Sequence, residues 1–189
     1  MWNSVSRWFY RVSSGWVALS AVLVFILFTI LVLPGQTGNS SESEQVGSPD
    51  LSMYYSAGDL YEMAEGYGQS GRDAYVYARF TFDLVWPLVY TFFLLTAISW
   101  IYQRVIPGDS RWRLINLLPV LGMLGDYLEN ISTSIVMWRY PQLTPVVDWM
   151  AGIFTFTKWL LISGSFIALL VGIVLLGWQF IRKDRRLAD

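Results

Sequence analysis

The sequence predicts an all-α protein embedded in a membrane: four spanning helices in a bundle, with an external amphipathic and aromatic segment between the first two. Three observations carry this expectation. Hydrophobic residues make up 54% of the 189, more than a soluble domain of this size normally shows. They are gathered into four runs, each close to or above the ~20 residues that a helix needs to cross a bilayer. The basic residues, finally, are concentrated in the segments that four crossings would place on one side.

The first segment, residues 1–15, is a short arm in which Trp2, Trp8, Phe9 and Tyr10 alternate with Arg7 and Arg11. That mixture of aromatic rings and cations suits the headgroup layer of a membrane. The first span is expected at 16–33. Trp16–Leu33 carries no charge and has only Ser20 and Thr29 as polar interruptions. Its uninterrupted apolar length exceeds the ~7–15 residues of a cleaved signal, and no small-residue cleavage site follows, so it reads as a retained anchor.

Residues 34–79 are expected on the external face. Gly35–Asp50 is polar and rich in Gly and Ser, a composition suited to a linker. Asn39-Ser40-Ser41 is a glycosylation sequon. Ser56–Glu65 then reads as a short amphipathic helix, with Leu60, Met63 and Ala64 on one face. Gly66, Gly68 and Gly71 are expected to break it before the second span. Tyr54, Tyr55, Tyr61, Tyr67, Tyr75 and Tyr77 crowd this stretch. Tyrosines at such density fit an interfacial aromatic belt better than a lid over the bundle.

The second span is expected at 80–102, the cytoplasmic loop at 103–113, the third span at 114–138, the external loop at 139–148, the fourth span at 149–180 and a basic tail at 181–189. On this plan the arm, the loop and the tail hold nine of the 13 Lys and Arg residues. Positive charge stays on the cytoplasmic side, so both termini are expected there, in the cell (plasma or inner) membrane. The external segment agrees, with seven acids against Arg72 and Arg79.

The chain has no cysteine and no histidine. Disulfides, thiol nucleophiles, histidine-ligated metals and Ser-His-Asp chemistry are therefore excluded within it. A net charge of −1 gives no footprint for nucleic acid. No cofactor, no metal site and no catalytic residue is assigned from the sequence.

The informative polarity lies inside the third run. With Asp126 at zero on a helical wheel, Pro119, Gly122, Glu129, Asn130, Thr133 and Met137 fall within about 60° of it. Leu117, Leu121, Leu124, Leu128, Ile131 and Ile135 take the opposite side. Two acids near the middle of a span cost ~5–7 kcal/mol, while its eleven Leu, Ile and Val residues return at most ~3–7. Such a helix needs partners. On the second run Arg79, Asp83, Trp86, Pro87 and Tyr90 share a face. On the fourth, Ala151, Lys158, Ser165 and Gly172 recur every seven residues as a seam of mostly small side chains.

Counting along each helix brings Asp83, Glu129 and Lys158 to similar depth in the outer half of the bilayer. The expectation is a network in which Lys158 faces Glu129 and Asp83, with Asp126 and Asn130 a turn deeper. Pro87 and Pro119 are expected to kink the helices beside it. The candidate ligand-binding or proton-exchange residues are accordingly Arg79, Asp83, Tyr90, Asp126, Glu129, Asn130 and Lys158.

Three functions are compatible with such a site. The leading one is a pocket for a lipid, a small amphipathic ligand or a partner subunit, in a protein held by the bilayer; the small-residue seam of the fourth span favours packing within the bundle, with a homodimer as the alternative. Next comes proton- or cation-coupled transport. A membrane enzyme using Asp126 and Glu129 ranks lowest, since a lone Asp-x-x-Glu is a weak signature.

Overall fold

The computed structural model of the chain describes residues 2–37 and 47–188, and these contain no strand. The helices are α1 (Trp2–Val12), α2 (Gly15–Leu31), the short α3 (Leu33–Thr37), α4 (Ala57–Gly66), α5 (Gly68–Arg79), α6 (Phe82–Val105), α7 (Leu118–Arg139) and α8 (Val147–Ala188). Single 3-10 segments occupy Pro49–Leu51 and Arg111–Leu117. The Asn39 sequon and most of the linker lie outside the described residues.

Three stretches are long and apolar enough to cross a membrane: Gly15–Gly35, Gly68–Val105 and Val147–Arg182. They mark the chain as a membrane protein. The third expected span, now α7, does not pass the same measure. At 22 residues it has the length, but Asp126, Glu129, Asn130 and its Ser and Thr residues dilute its apolar character.

Several boundaries differ from the sequence reading, each for a local reason. The α4 helix begins as expected because Ser56 caps it. The Ser56 hydroxyl accepts from the Asp59 amide at 3.2 Å, while the Asp59 carboxylate accepts from the Ser56 amide at 2.8 Å. This reciprocal pair satisfies two of the helix's orphan donors. The three glycines do not unwind the chain beyond α4. It turns only at Tyr67–Gly68, where Gly68 takes φ +59°, a value that costs glycine nothing. It then continues as α5, which turns Tyr75 and Arg79 inward. Burial of these side chains overrides the poor helix propensity of Gly71. At the other end, Pro119 lies in the first turn of α7, where its missing amide has no helical partner to lose. It therefore breaks no hydrogen bond of the α7 ladder. Pro87, by contrast, is inside α6 and releases the Asp83 carbonyl from the helical ladder. Leu117, assigned to the lipid side on the wheel, is only 5% exposed. It belongs to the 3-10 segment, whose three-residue turn shifts the phase.

The chain forms two compact units. One contains residues 1–26, 89–120 and 161–189; the other contains 27–88 and 121–160. In the first, α1 is pinned by hydrogen bonds from Tyr10 to the Arg113 carbonyl at 2.9 Å and from Ser6 to Asn116 at 2.8 Å. The side-chain amide of Asn116 donates in turn to Ser99 at 3.1 Å. Gly172 on α8 lets the Tyr102 ring approach closely. A Cβ there would come within 2.6 Å of that ring, whose hydroxyl donates to the Ala168 carbonyl. Phe25 stacks on Phe93 with centroids 4.6 Å apart.

The core of the second unit is made by Tyr55, Leu60, Met63, Ala64, Tyr67, Tyr75, Val136, Met137 and Ala151. Four of the six tyrosines of the external segment are thus drawn inward or hydrogen-bonded: Tyr55, Tyr67 and Tyr75 in this core, and Tyr61 through its hydroxyl to Asp148 and Thr144. Tyr54 and Tyr77 remain exposed, as belt residues would.

Candidate functional site

The polar face of α7 turns inward, as the wheel requires. Asp126 is 7% exposed, Asn130 is 5% and Glu129 is fully buried, whereas Leu124, Leu128 and Ile131 are about half exposed. Gly125 has no side chain to hold α8 away. A Cβ added there would lie 3.4–3.5 Å from the Cβ and backbone of Lys158. The seam on α8 does the rest, since Ala151, Lys158, Ser165 and Gly172 are all buried.

Two cations organise the site, each holding two carboxylates. Lys158 pairs with Glu129 and, at 3.3 Å, with Asp126. Thr155, one turn away on the same face of α8, gives its hydroxyl proton to Glu129 at 2.6 Å, with the Ala151 carbonyl as the alternative acceptor at 2.9 Å. The Tyr55 hydroxyl donates to the same Glu129 oxygen at 3.5 Å. Glu129 therefore receives an ammonium and two hydroxyls, the kind of full coordination that a buried carboxylate requires.

Arg79 is the second centre. It pairs with Asp50 and, at 3.0 Å, with Asp83. It also donates to the side-chain amide oxygen of Asn130 at 3.4 Å and lies over the Tyr75 ring, 4.4 Å from the centroid. The contact expected between Lys158 and Asp83 is thus replaced. Asp83 follows Arg79 closely, across the turn between α5 and α6, and that near neighbour claims its carboxylate. Tyr90, assigned to the same polar face, is buried in the first unit.

Asp50, Tyr55 and Thr155 complete the site and were not singled out in the sequence. Thr155 could have been found, because it lies three residues before Lys158 and four after Ala151 on the seam. Asp50 and Tyr55 come from a segment without periodicity, where one acid or tyrosine looks like the next. Their arrival makes the segment that leads into α4 a roof. The Tyr55 carbonyl occupies the place that a Cβ of Gly152 would take, so the roof is seated directly on α8. Burial pushes the Tyr55 phenol well above its ordinary value, and the Glu129 carboxylate pushes it further. It is a permanent donor.

Electrostatically the arrangement is unbalanced. Two cations, Arg79 and Lys158, face four carboxylates, Asp50, Asp83, Asp126 and Glu129, which leaves a formal charge of −2. Among the described residues, no group of three His, Cys, Asp or Glu side chains converges as metal ligands would. No protein-family model, curated protein or solved structure matches the chain, so the site is read from its own geometry.

Proposed function

We propose that this chain is a four-span membrane protein, with both termini cytoplasmic, whose roofed polar network is the floor of an outward-facing pocket for a lipid or small amphipathic ligand; a partner subunit is the remaining alternative. One observation carries the reading: two buried cations that hold four carboxylates, with Tyr55 set over Glu129. Ionisable groups within spanning helices are costly and concentrate at functional positions. The fourth crossing is α7. Support comes from its division into a buried polar face and an exposed Leu/Ile face, and from its length of about 33 Å at 1.5 Å per residue. The cytoplasmic side is assigned by the basic residues of the arm, the loop and the tail.

A second reading is supported by the formal charge of −2. Asp126 and Glu129 are buried around the single ammonium of Lys158; the carboxylate in excess there calls for a bound proton or cation, and exchange of that ion would make the protein a coupled transporter.

The test uses Glu129→Gln and Lys158→Met, singly and together, in the full chain purified in detergent. Folded yield is measured alongside mass spectrometry of the molecules that co-purify. A binding floor predicts a folded double variant that has lost a co-purifying amphiphile. A network that only fixes helix register predicts poor yields for the single variants, recovery in the double variant and an unchanged set of co-purifying molecules; that result would remove the proposal.

A further inference from the structure

The N-terminal helix α1 carries exposed chemistry that the polar network does not use. At 100° per residue, its 11 residues sort into three faces. One is held by protein. Ser6, Tyr10 and, just past the helix, Ser13 are buried. Ser6 and Tyr10 bond to Asn116 and Arg113, and the Gln103 side-chain amide donates to the Ser13 carbonyl at 3.4 Å. The second face is apolar and open, with Trp2, Val5, Trp8 and Val12 between 39% and 56% exposed. The third carries Ser4, Arg7 and Arg11, which with Trp8 line an open hollow of about 380 Å³ whose wall is mainly polar. Both arginines are exposed there. Arg7 uses only its Nε, on the Asn3 carbonyl at 3.1 Å. Among the described residues, neither arginine pairs with a carboxylate.

Position and charge say what covers these faces. The first membrane-crossing stretch begins at Gly15, three Cα steps beyond Val12, a link that reaches at most ~11 Å. The helix is therefore tethered beside the bilayer. No acid precedes Glu42, and the adjoining stretch 104–113 sets Arg104, Arg111 and Arg113 against Asp109 alone. A cationic surface next to open apolar side chains suits an anionic headgroup. A zwitterionic headgroup would set its own cation against the arginines. A guanidinium also takes phosphate through two parallel hydrogen bonds. We propose that α1 lies in the plane of the membrane with Trp2, Val5 and Val12 at the acyl boundary, and that the hollow of Ser4, Arg7 and Arg11 binds the phosphate of an anionic phospholipid. The bonds of Ser6 and Tyr10 fix the roll of the helix, which keeps both arginines beside the headgroups. This site is separate from the network around Lys158 and does not depend on it.

Because the chain has no cysteine, a single one can be placed and labelled with a nitroxide. Asn3→Cys and Val5→Cys stand on opposite sides of α1, in the full chain reconstituted into mixed phosphatidylcholine and phosphatidylglycerol bilayers. The label at 5 should collide with oxygen and be shielded from a water-soluble nickel chelate, and the label at 3 should show the reverse. Headgroup choice is read by native mass spectrometry of the full chain in detergent, offered equimolar dioleoyl phosphatidylglycerol and dioleoyl phosphatidylcholine. The phosphatidylglycerol adduct should dominate. Arg7→Gln and Arg11→Gln should each weaken that preference about fivefold, and together about 25-fold, the effect expected of one basic side chain and of two beside an anionic headgroup. Both positions are exposed, so elution on size exclusion should not change. Inorganic phosphate, which has no acyl chains, should fail to compete. Equal access of nickel to both labels overturns the placement of α1 in the membrane plane. A label at 5 shielded from both reagents means that protein covers this face, and overturns a lipid occupant. An unchanged preference in the double variant, or displacement of the lipid by inorganic phosphate, overturns the headgroup site.

Discussion

Helices α2 and α7 have similar lengths, 17 and 22 residues, but they answer to different solvents. Along α2 only Ala18 and Ala21 are buried, and Leu19, Leu23, Ile26, Leu27 and Ile30 lie largely exposed. The protein leaves nearly every side of it uncovered, so apolar composition alone recognises it as a candidate span. Along α7 the burial is reversed, because the best-covered residues include Asp126, Glu129, Asn130 and Thr133. Its environment on that side is protein, supplied as Lys158, Thr155 and Arg79. Average hydropathy detects the first kind of helix and passes over the second, because it counts side chains and not the partners that cover them.

The sharpest way to break that contrast is to remove a partner from α7 and a side chain of similar size from α2. Lys158→Met leaves Glu129 and Asp126 buried without their cation, and should cost about 3–5 kcal/mol. Leu27→Ala, at a position 55% exposed, should cost less than about 0.5 kcal/mol. Unfolding in graded SDS would measure both. Equal losses would mean that the environments of the two helices do not differ as described.

A smaller effect tests whether the roof belongs to the site. Gly152→Ala would drive a methyl into the Tyr55 carbonyl, costing about 1–3 kcal/mol by overpacking. Because Tyr55 is displaced with it, amide exchange should quicken around residues 55–64 as well as on α8. Quickening confined to α8 would separate roof from floor.

The smallest effect belongs to a group wholly in water. The Asp59 carboxylate is held below its ordinary range, first by the Ser56 amide and then by the Ser56 hydroxyl. Its folded value therefore lies below its unfolded one, so its contribution to α4 is complete above the unfolded value of about 3.9 and fades as pH falls through the folded value. Amide protection in the first turn of α4 should drop on acidification below about pH 4 and be insensitive to pH in Asp59→Asn. A pH response that persists in that variant would assign it elsewhere.

These contrasts explain what the sequence could and could not disclose. The polar face of α7 and the heptad seam of α8 were legible because helical periodicity is a local property, and Asp126, Glu129 and Lys158 follow directly from it. Arg79 with Asp83 was legible as a shared face, though the nearness of the two along the chain, across the turn between α5 and α6, weighed more than any match in depth. The start of α7 was misplaced because a 3-10 segment of apolar residues resembles an α-helical one by composition. Asp50 and Tyr55 were beyond reach. They enter the site through the folding of an aperiodic segment, and no spacing rule connects residue 55 to residue 129.

The last helix has a mechanical consequence. Its 42 residues form one uninterrupted rod of about 63 Å, roughly twice the thickness of a hydrocarbon layer. Even at a tilt of about 40°, more than ~20 Å of it must stand in headgroups or water. Lys158 lies toward one end of this rod and the cluster Arg182, Lys183, Arg185 and Arg186 at the other. Because Thr155 and Lys158 ride on one turn of this helix, a roll that re-seats the amine between its carboxylates must carry the Thr155 hydroxyl with it, so Glu129 gains or loses both contacts together.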